Sequence, residues 1–548
     1  MADEKEVVLE FKNPAFIILL VILGVLLVME MQVAFGNPVS FGDEGYYGSM
    51  AKTFGQDLDY PKWTPFRSSV LAERGYSKPP LWPMLQGGIM MFVGSGEAVA
   101  KFLTPFIGFL IGVAYFLLIK RLTNEKLALI AAIMISTIPS FVTYTVTFYV
   151  EMLEVLYTTM FLFLFILGIK EDKMKYLFVS TFFAVLAYFT KKTGLLLLGL
   201  VVVGFVYELI KKKQLVPLLK RYAVLLLVPM LLSSALIFRT YIMYGGFCDV
   251  PIFEVPPLNS MVNMNCDVFL FESKYDYVGT TAQVGTEQNI WTLGVADYVN
   301  SAYGNIWFIA LAAAAGLFVF AARRDVKDVL VIAFLVLYIP VLIRSGRSED
   351  AARFALPWVA AFGLLAASYY DEIYNFAKSR LKGSLPVAVL AILVIITIAV
   401  GCWNFYGQLS SMSSIKQFYP SFFEGCEWVK ENTPENSLVS TLYVYKAGYC
   451  SDRRVATQNG DMALSNNATY AYEVAKAYGI NYVWINKFAI DPSNNHYSEM
   501  TDVDYVKMLE ENNSTFAKVY EDGNSLQSCQ DMWLQGSSCD GNIVYRVA

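Results

Sequence analysis

Apolar runs recur along the chain near 14–34, 98–119, 127–144, 152–169, 176–190, 193–210, 222–238, 305–322, 329–343, 354–370 and 386–403. They number about eleven, and several reach the roughly 18 residues that cross a bilayer. This pattern predicts a polytopic α-helical membrane protein, because only helices or closed barrels satisfy the backbone within lipid. Basic clusters follow alternate runs: Lys120-Arg121-Lys126, Lys170-Lys173-Lys175, Lys211-Lys212-Lys213 with Lys220-Arg221, Arg323-Arg324-Lys327, and Lys378-Arg380-Lys382. Short basic connections face the cytoplasm. The N-terminus is therefore expected inside, and an odd number of spans places the C-terminus outside. The polar start, MADEKEVVLEFKNP, precedes an apolar run too long for a cleaved signal, without a small-residue cleavage site. It reads as a signal anchor.

Three connections on the outer side are long: residues 35–97, 239–304 and 404–548. The expected division is a membrane domain over 1–403 and an extracytoplasmic domain over 404–548. Residues 421–548 hold 17 acidic and 9 basic side chains, a net of −8, and the remainder of the chain has a net of +3. Within this acidic part, Ser437–Tyr445 reads as a strand. Tyr470–Tyr478 has helical spacing, and Asn481–Ile485 is a short apolar run suited to a buried strand. Strand, helix, strand predicts a small α/β domain.

Composition narrows the chemistry. Hydrophobic residues make up 56% of the chain, with mean hydropathy +0.45. The one histidine, His496, leaves no material for a His-rich zinc site and argues against a Ser-His-Asp triad. Acid–base work then falls to carboxylates, Lys, Tyr or a bound metal. Nothing points to a nucleic-acid partner. Six cysteines lie in outer segments, where disulfides persist: Cys248 and Cys266 share one loop, and Cys426, Cys450, Cys529 and Cys539 lie in the C-terminal domain. Four cysteines allow three connectivities; the expected pairs are Cys426–Cys450 and Cys529–Cys539. Cys402 is left over. Acceptor sequons begin at Asn467, Asn512 and Asn513 on the same side.

The chemistry concentrates just after the first span. Asp43-Glu44 opens a stretch in which Tyr47, Met50, Ala51 and Phe54 recur at i, i+3, i+4 and i+7, one apolar face of a helix lying along the membrane surface. Asp43 as an N-cap and Glu44 as a complement to the helix dipole are the structural account. The functional account is a general base tuned by the low dielectric beside a span. Further on, Tyr76-Ser77-Lys78-Pro79-Pro80-Leu81 holds Lys78 at the interface by two prolines. A snorkelling lysine is the structural alternative to a cation placed where a phosphate sits.

An acid pair in DEGYY followed by KPPL in the first outer loop resembles the GT-C glycosyltransferases, and within them the protein O-mannosyltransferase and aminoarabinose–lipid A transferase superfamily. The resemblance extends over residues 14–400: Glu151 in FYVEMLEVLY matches the family's acid at the outer start of the fourth span, where Asp is commoner. Lys191-Lys192-Thr193-Gly194 approximates its Lys-Gly, without deciding which lysine matches. Arg353-Phe354-Ala355-Leu356-Pro357 matches its Arg-aromatic-x-x-Pro. The resemblance implies a polyprenyl (dolichyl) phosphate sugar as donor and a protein, lipid or glycan hydroxyl as acceptor, with inversion at the sugar. Asp43 is then the expected base, and Glu44 assists substrate or a metal. Lys78, Arg353 and Lys191 or Lys192 hold the donor phosphate, and Glu151 is a supporting or acceptor-binding acid. Arg239, Arg344 and Arg347 also map to outer span ends, against the positive-inside trend. Tyr46 and Tyr47 are candidates to stack on sugar, although interfacial aromatic belts are commoner. Glu154, one helical turn beyond Glu151, is left open between a function and a pairing with a nearby lysine. Magnesium or manganese suits carboxylates and phosphate, with Asp43 or Glu44 as ligand, but the sequence does not require a metal. Acidity, outer disulfides and sequons suit an archaeal cell surface. Two other classes fit parts of the pattern: a transporter or flippase of a lipid-linked substrate, and a non-catalytic surface assembly or receptor protein. The transporter does not explain the large outer loops or acids at the outer edge rather than the midplane.

Overall fold

The computed structural model describes residues 13–57, 79–244, 325–345, 353–413, 420–457, 467–491 and 501–548, apart from a few positions inside those ranges. The first helix, α1 (Pro14–Gly36), begins where the Asn13 side chain accepts from the Ala15 N–H at 2.9 Å and Pro14 fills the first turn. Its buried stripe of Phe16, Leu19, Leu23, Leu26, Glu30 and Ala34 follows helical spacing. Then come α2 (Gly42–Asp57), α3 (Leu81–Val93), α4 (Glu97–Leu122), α5 (Glu125–Ser136) and α6 (Pro139–Thr145). The run expected near 127–144 is not one straight span. It is α5 and α6, bent by 66°. Ile138 precedes Pro139, which disfavours helical backbone there, so one helix ends and another starts.

The bundle closes around α7 (Glu151–Lys170), which buries residues on nearly every face. It is followed by α8 (Met174–Thr190), a 3-10 turn at Lys192–Leu195, α9 (Leu196–Lys212), α10 (Leu215–Tyr244) and α11 (Val326–Ser345). A second 3-10 turn at Leu356–Trp358 leads into α12 (Val359–Arg380), and α13 (Leu385–Ser413) closes the membrane part. The domain boundary expected at 403–404 therefore falls inside α13. Among the described residues, six helices are long and apolar enough to cross a membrane, or seven if the bent pair is one span. The run at 305–322 lies outside the described residues. The chain is a multi-pass membrane protein.

The C-terminal part opens with α14 (Pro420–Asn432) and continues as β1 (Leu438–Thr441), α15 (Val444–Ser451), β2 (Arg454–Thr457), α16 (Ala468–Tyr478), β3 (Tyr482–Asn486), β4 (Ile490–Asp491), β5 (Thr501–Asp502), α17 (Val503–Glu511), β6 (Phe516–Glu521) and β7 (Asn542–Val547). The main sheet runs β2-β1-β3-β7-β6: β1 is parallel to β2 and β3, and β7 is antiparallel to β3 and β6. β4 and β5 form a separate parallel pair. Strand alternation divides the core. Leu438, Val483 and Ile485 face α16 and α17, whereas Val439 and Trp484 face α14 and α15. The expected strand over 437–445 is shorter, because α15 starts at Val444 and buries Ala447 and Tyr449. Cys426 pairs with Cys450, and Cys529 with Cys539; Cys402 is free. Asn467 caps α16, its side chain accepting from the Thr469 N–H at 3.0 Å.

This domain sits on the membrane part. The Asn37 side chain donates to the Met412 carbonyl at 2.7 Å, joining the ends of α1 and α13. Helix α15 packs on α2, the helix that opens with the acid pair.

Candidate active site

Two clusters of charge meet near the start of α7 on the side that carries the C-terminal domain. The first is built on Glu151, fully buried in the first turn of α7. Lys191 Nζ donates to Glu151 Oε1 at 3.1 Å, and Arg353 Nε donates to the same oxygen. Lys191 Nζ also stands 3.4 Å from Glu154 Oε2, and the Thr193 hydroxyl donates to Glu154 Oε1. Glu154 therefore has the neighbouring lysine that its sequence position left open. Each cation lies against an aromatic face: Lys191 Nζ is 4.7 Å from the Phe354 ring centre, and Arg353 Cζ is 4.8 Å from that of Tyr149.

Local sequence explains how the cations arrive. Lys191 ends α8 in an extended conformation (φ −153°, ψ 140°), and the 3-10 turn that follows folds back on the helix. A Cβ on Gly194 would lie 2.4 Å from the Ala187 carbonyl carbon, so only glycine permits this reversal. The Lys-Lys-Thr-Gly motif is thus a turn that delivers Lys191, and Lys192 opens the turn. Arg353 precedes the buried pair Leu356-Pro357, whose 3-10 turn anchors the segment above α12.

The second cluster is built on Glu44. It too is fully buried; its Oε1 accepts from the Phe148 N–H at 2.5 Å and lies 3.9 Å from Lys101 Nζ. Lys101 is 2% exposed. Phe148 and Tyr149 belong to the five residues between α6 and α7. Glu44 holds one of them and Arg353 packs on the next, so this short loop joins the two clusters. From the C-terminal domain, Lys446 also feels Glu44. Burial pushes the Lys446 ammonium below its ordinary value, and the Glu44 charge opposes that shift. Asp452, at the end of α15, is raised by burial, but hydrogen bonds from Lys430 and Lys52 outweigh this and hold its carboxyl below the usual range.

Several expectations change. Tyr46 and Tyr47 are 3% and 2% exposed and pack edge-to-face at 5.4 Å in the core. They are not presented to stack on sugar, because α2 is covered by α3 and α15 instead of lying free on the membrane surface. Glu44 is likewise not a surface acid. Its Oε1 is occupied by the Phe148 amide, with the Lys101 ammonium 3.9 Å away. Glu151 serves the two cations and does not stand open to an acceptor. No group of three or more His, Cys, Asp or Glu side chains that could hold a metal occurs among the described residues.

Asp43, Arg239 and Arg344 lie on described helices, α2, α10 and α11, but their side chains fall outside the described residues, as do Lys78, Arg347, Cys248 and Cys266 entirely. Lys101, Tyr149, Thr193 and Lys446 were not anticipated. Lys101 had a signal, an ionisable residue inside an apolar run. Lys446 had none, since it reaches the site from another domain.

The family model for dolichyl-phosphate-mannose-protein mannosyltransferase matches residues 77–238, less than half of the chain. No match to a curated protein was found. Among solved structures, the chain resembles the Archaeoglobus fulgidus oligosaccharyltransferase in complex with Zn and sulfate (17% identity, 85% of this chain and 68% of that one, TM-score 0.62). It also resembles archaeal oligosaccharyltransferase AglB from Archaeoglobus fulgidus in complex with an inhibitory peptide and a dolichol-phosphate (15%, 92% and 73%, TM-score 0.61). A third match is ArnT from Cupriavidus metallidurans bound to undecaprenyl phosphate (14%, 97% and 98%, TM-score 0.60). At such identities the structural matches establish the fold. The resemblance read from the sequence is upheld: the chain has the fold of the GT-C glycosyltransferases of the protein O-mannosyltransferase superfamily, and its residues 77–238 match that family's pattern.

Proposed function

We propose that the chain is a membrane glycosyltransferase that moves a sugar from a polyprenyl phosphate donor to a hydroxyl on a protein, lipid or glycan, at the extracytoplasmic face. The observation that carries this reading is the loop between α6 and α7, which ties the acid-pair helix to Lys191 and Arg353. Transfer from such a donor releases a phosphomonoester anion at the membrane interface. A lysine and an arginine already oriented by buried carboxylates stabilise that charge without reorganising. The two neighbours solved with dolichol-phosphate and undecaprenyl phosphate support a donor of this chemistry. The cluster Lys211, Lys212, Lys213, Lys220 and Arg221 at the opposite side supports a cytoplasmic N-terminus.

In this reading Asp43 takes the proton of the acceptor hydroxyl. The acceptor oxygen bonds to the anomeric carbon as the carbon–phosphate oxygen bond breaks, inverting the centre. Neighbouring helical residues point about 100° apart, so Asp43 and Glu44 divide the work. Glu44 holds the loop, and Asp43 meets the acceptor. Lys78, Lys191 and Arg353 hold the departing phosphate; Arg239, Arg344 and Arg347 are its outer neighbours. No step is routed through a metal.

The test is transfer from a labelled polyprenyl-phosphate hexose in detergent, with mixed membrane acceptors. Asp43→Asn and Lys78→Ala are expected to abolish transfer or donor hydrolysis while folding is kept. A wild type that binds donor and never reacts would overturn the enzyme in favour of a transporter or receptor.

A further inference from the structure

Helix α2 is 16 residues long, and in a folded protein such a helix draws most of its stability from tertiary packing instead of propensity. Its position comes from what packs on it, and one of those partners belongs to the C-terminal domain. Gly48 lies against Tyr449: a Cβ there would be 2.5 Å from Tyr449 Cδ2 and 2.6 Å from Cε2. The Tyr449 ring is 1% exposed. Lys52, one turn further along α2, caps the contact. Its Nζ donates to the Tyr449 carbonyl at 2.9 Å and to Asp452 Oδ1 at 2.6 Å, and it stands 4.2 Å from the Tyr449 ring centre. Asp452 closes α15 in the left-handed conformation (φ 52°) and is also held by Lys430 at 2.5 Å. The Cys426–Cys450 disulfide fastens α15 to α14. A rigid, cross-linked piece of the second domain thus grips α2 about one turn beyond the acid pair.

Resting on the function proposed above, we infer that α15 is a brace that sets the acid-pair helix for transfer, with Tyr449 and Lys52 as its positioning residues. The line of contact is continuous. Tyr449 seats Gly48, Glu44 lies one turn before Gly48 on the same helix and holds the Phe148 amide, and the adjacent Tyr149 carries Arg353. Donor phosphate is held by Lys191 and Arg353, and the line from α15 reaches Arg353 only at its far end, through Glu44 and the loop before α7. Removing the brace is therefore expected to lower turnover more than donor affinity.

Gly48→Ala pushes a methyl into the ring. Its expected effect is a fall in kcat of about 10–100-fold, as small displacements of reacting groups produce, with donor affinity within about twofold of wild type. Tyr449→Phe keeps the ring and keeps turnover. Lys52→Met, less intrusive to folding, removes the hold on the Tyr449 carbonyl and Asp452 and lowers kcat about tenfold, and Lys52→Arg restores most of it. Gly48→Ala or Lys52→Met turning over like wild type while folded would overturn the brace. Equal losses in donor affinity would also overturn it, because α15 would then act in binding. The contact is read without activity by a double-mutant cycle of Lys52→Met and Asp452→Asn on melting temperature. Strong non-additivity supports the grip, and simple additivity refutes it. Coupling that is intact in a wild type that never transfers sugar would defeat the proposed function and reduce the brace to packing.

Discussion

At the domain end of α7, Glu151 is buried between Lys191 and Arg353. Near the other end, about 30 Å away by helix length, Glu208 is buried between Lys212 and Arg221. The ingredients match, but the assemblies differ. Lys212 is the i+4 neighbour of Glu208, and Arg221 and Tyr222 follow within 14 residues, on the next helix of the hairpin. Asp172, itself 66% exposed, takes further hydrogen bonds from Lys212 and Arg221 and carries the cluster out to solvent. That is a staple between adjacent helices. At the domain end, Lys191 lies 40 residues and Arg353 202 residues from Glu151, and each cation rests on an aromatic ring. Bringing such distant groups to one oxygen costs chain entropy that a local staple avoids. The comparison teaches that carboxylate and cation type alone do not distinguish the two ends; distant assembly beside a second acidic cluster is what makes the domain end the candidate.

The sharpest way to break the comparison is to remove one cation from each end. Arg353→Ala is expected to lower sugar transfer by about 100–1,000-fold, the scale of losing a preorganised charge donor. Arg353→Lys should rescue little, because lysine lacks the guanidinium fork and its aromatic stacking. Wild-type rates in Arg353→Ala would remove the domain-end cluster from the chemistry. At the other end, Glu208→Ala should leave transfer per folded molecule unchanged and cost about 3 kcal/mol of stability, as removal of one member of a buried ion pair does. Thermal unfolding in detergent checks it, and a loss of turnover without a loss of stability would reverse the roles assigned to the two ends. Glu154→Gln, which keeps a partner for Thr193 but weakens the hold on Lys191, should lower transfer about tenfold, in line with one hydrogen bond to a charged group. Asp172→Asn should be the mildest change, under about 1 kcal/mol and masked by moderate salt, as expected of an exposed pair. A salt-insensitive loss there would show that the staple is more buried than its exposure indicates.

Much of the architecture was legible in the chain. Helical spacing found α2 and α16, a short apolar run found β3 to within a residue, and Lys-Lys-Thr-Gly and Arg-Phe-x-x-Pro pointed to the segments that deliver Lys191 and Arg353. The helices and β3 came from local periodicity, and the two motifs from resemblance to the glycosyltransferase family. The α5–α6 bend was missed although Pro139 was visible, since hydropathy runs through it unchanged. Tyr46 and Tyr47 were misplaced because an apolar helical face looks the same whether it meets lipid or another helix.

The sequence by itself called for a multi-pass helical membrane chain, because apolar runs long enough to span lipid as helices pair their own backbone there, and strand-helix-strand patterning called for an α/β fold in the acidic C-terminal part. Which lysine meets Glu151, that Glu44 holds a loop and not a surface substrate, and that Tyr449 grips Gly48 were decided only by the tertiary structure. Each depends on contacts between segments far apart in the chain, where the energy lies in the fit of both partners and neither carries a local mark of it.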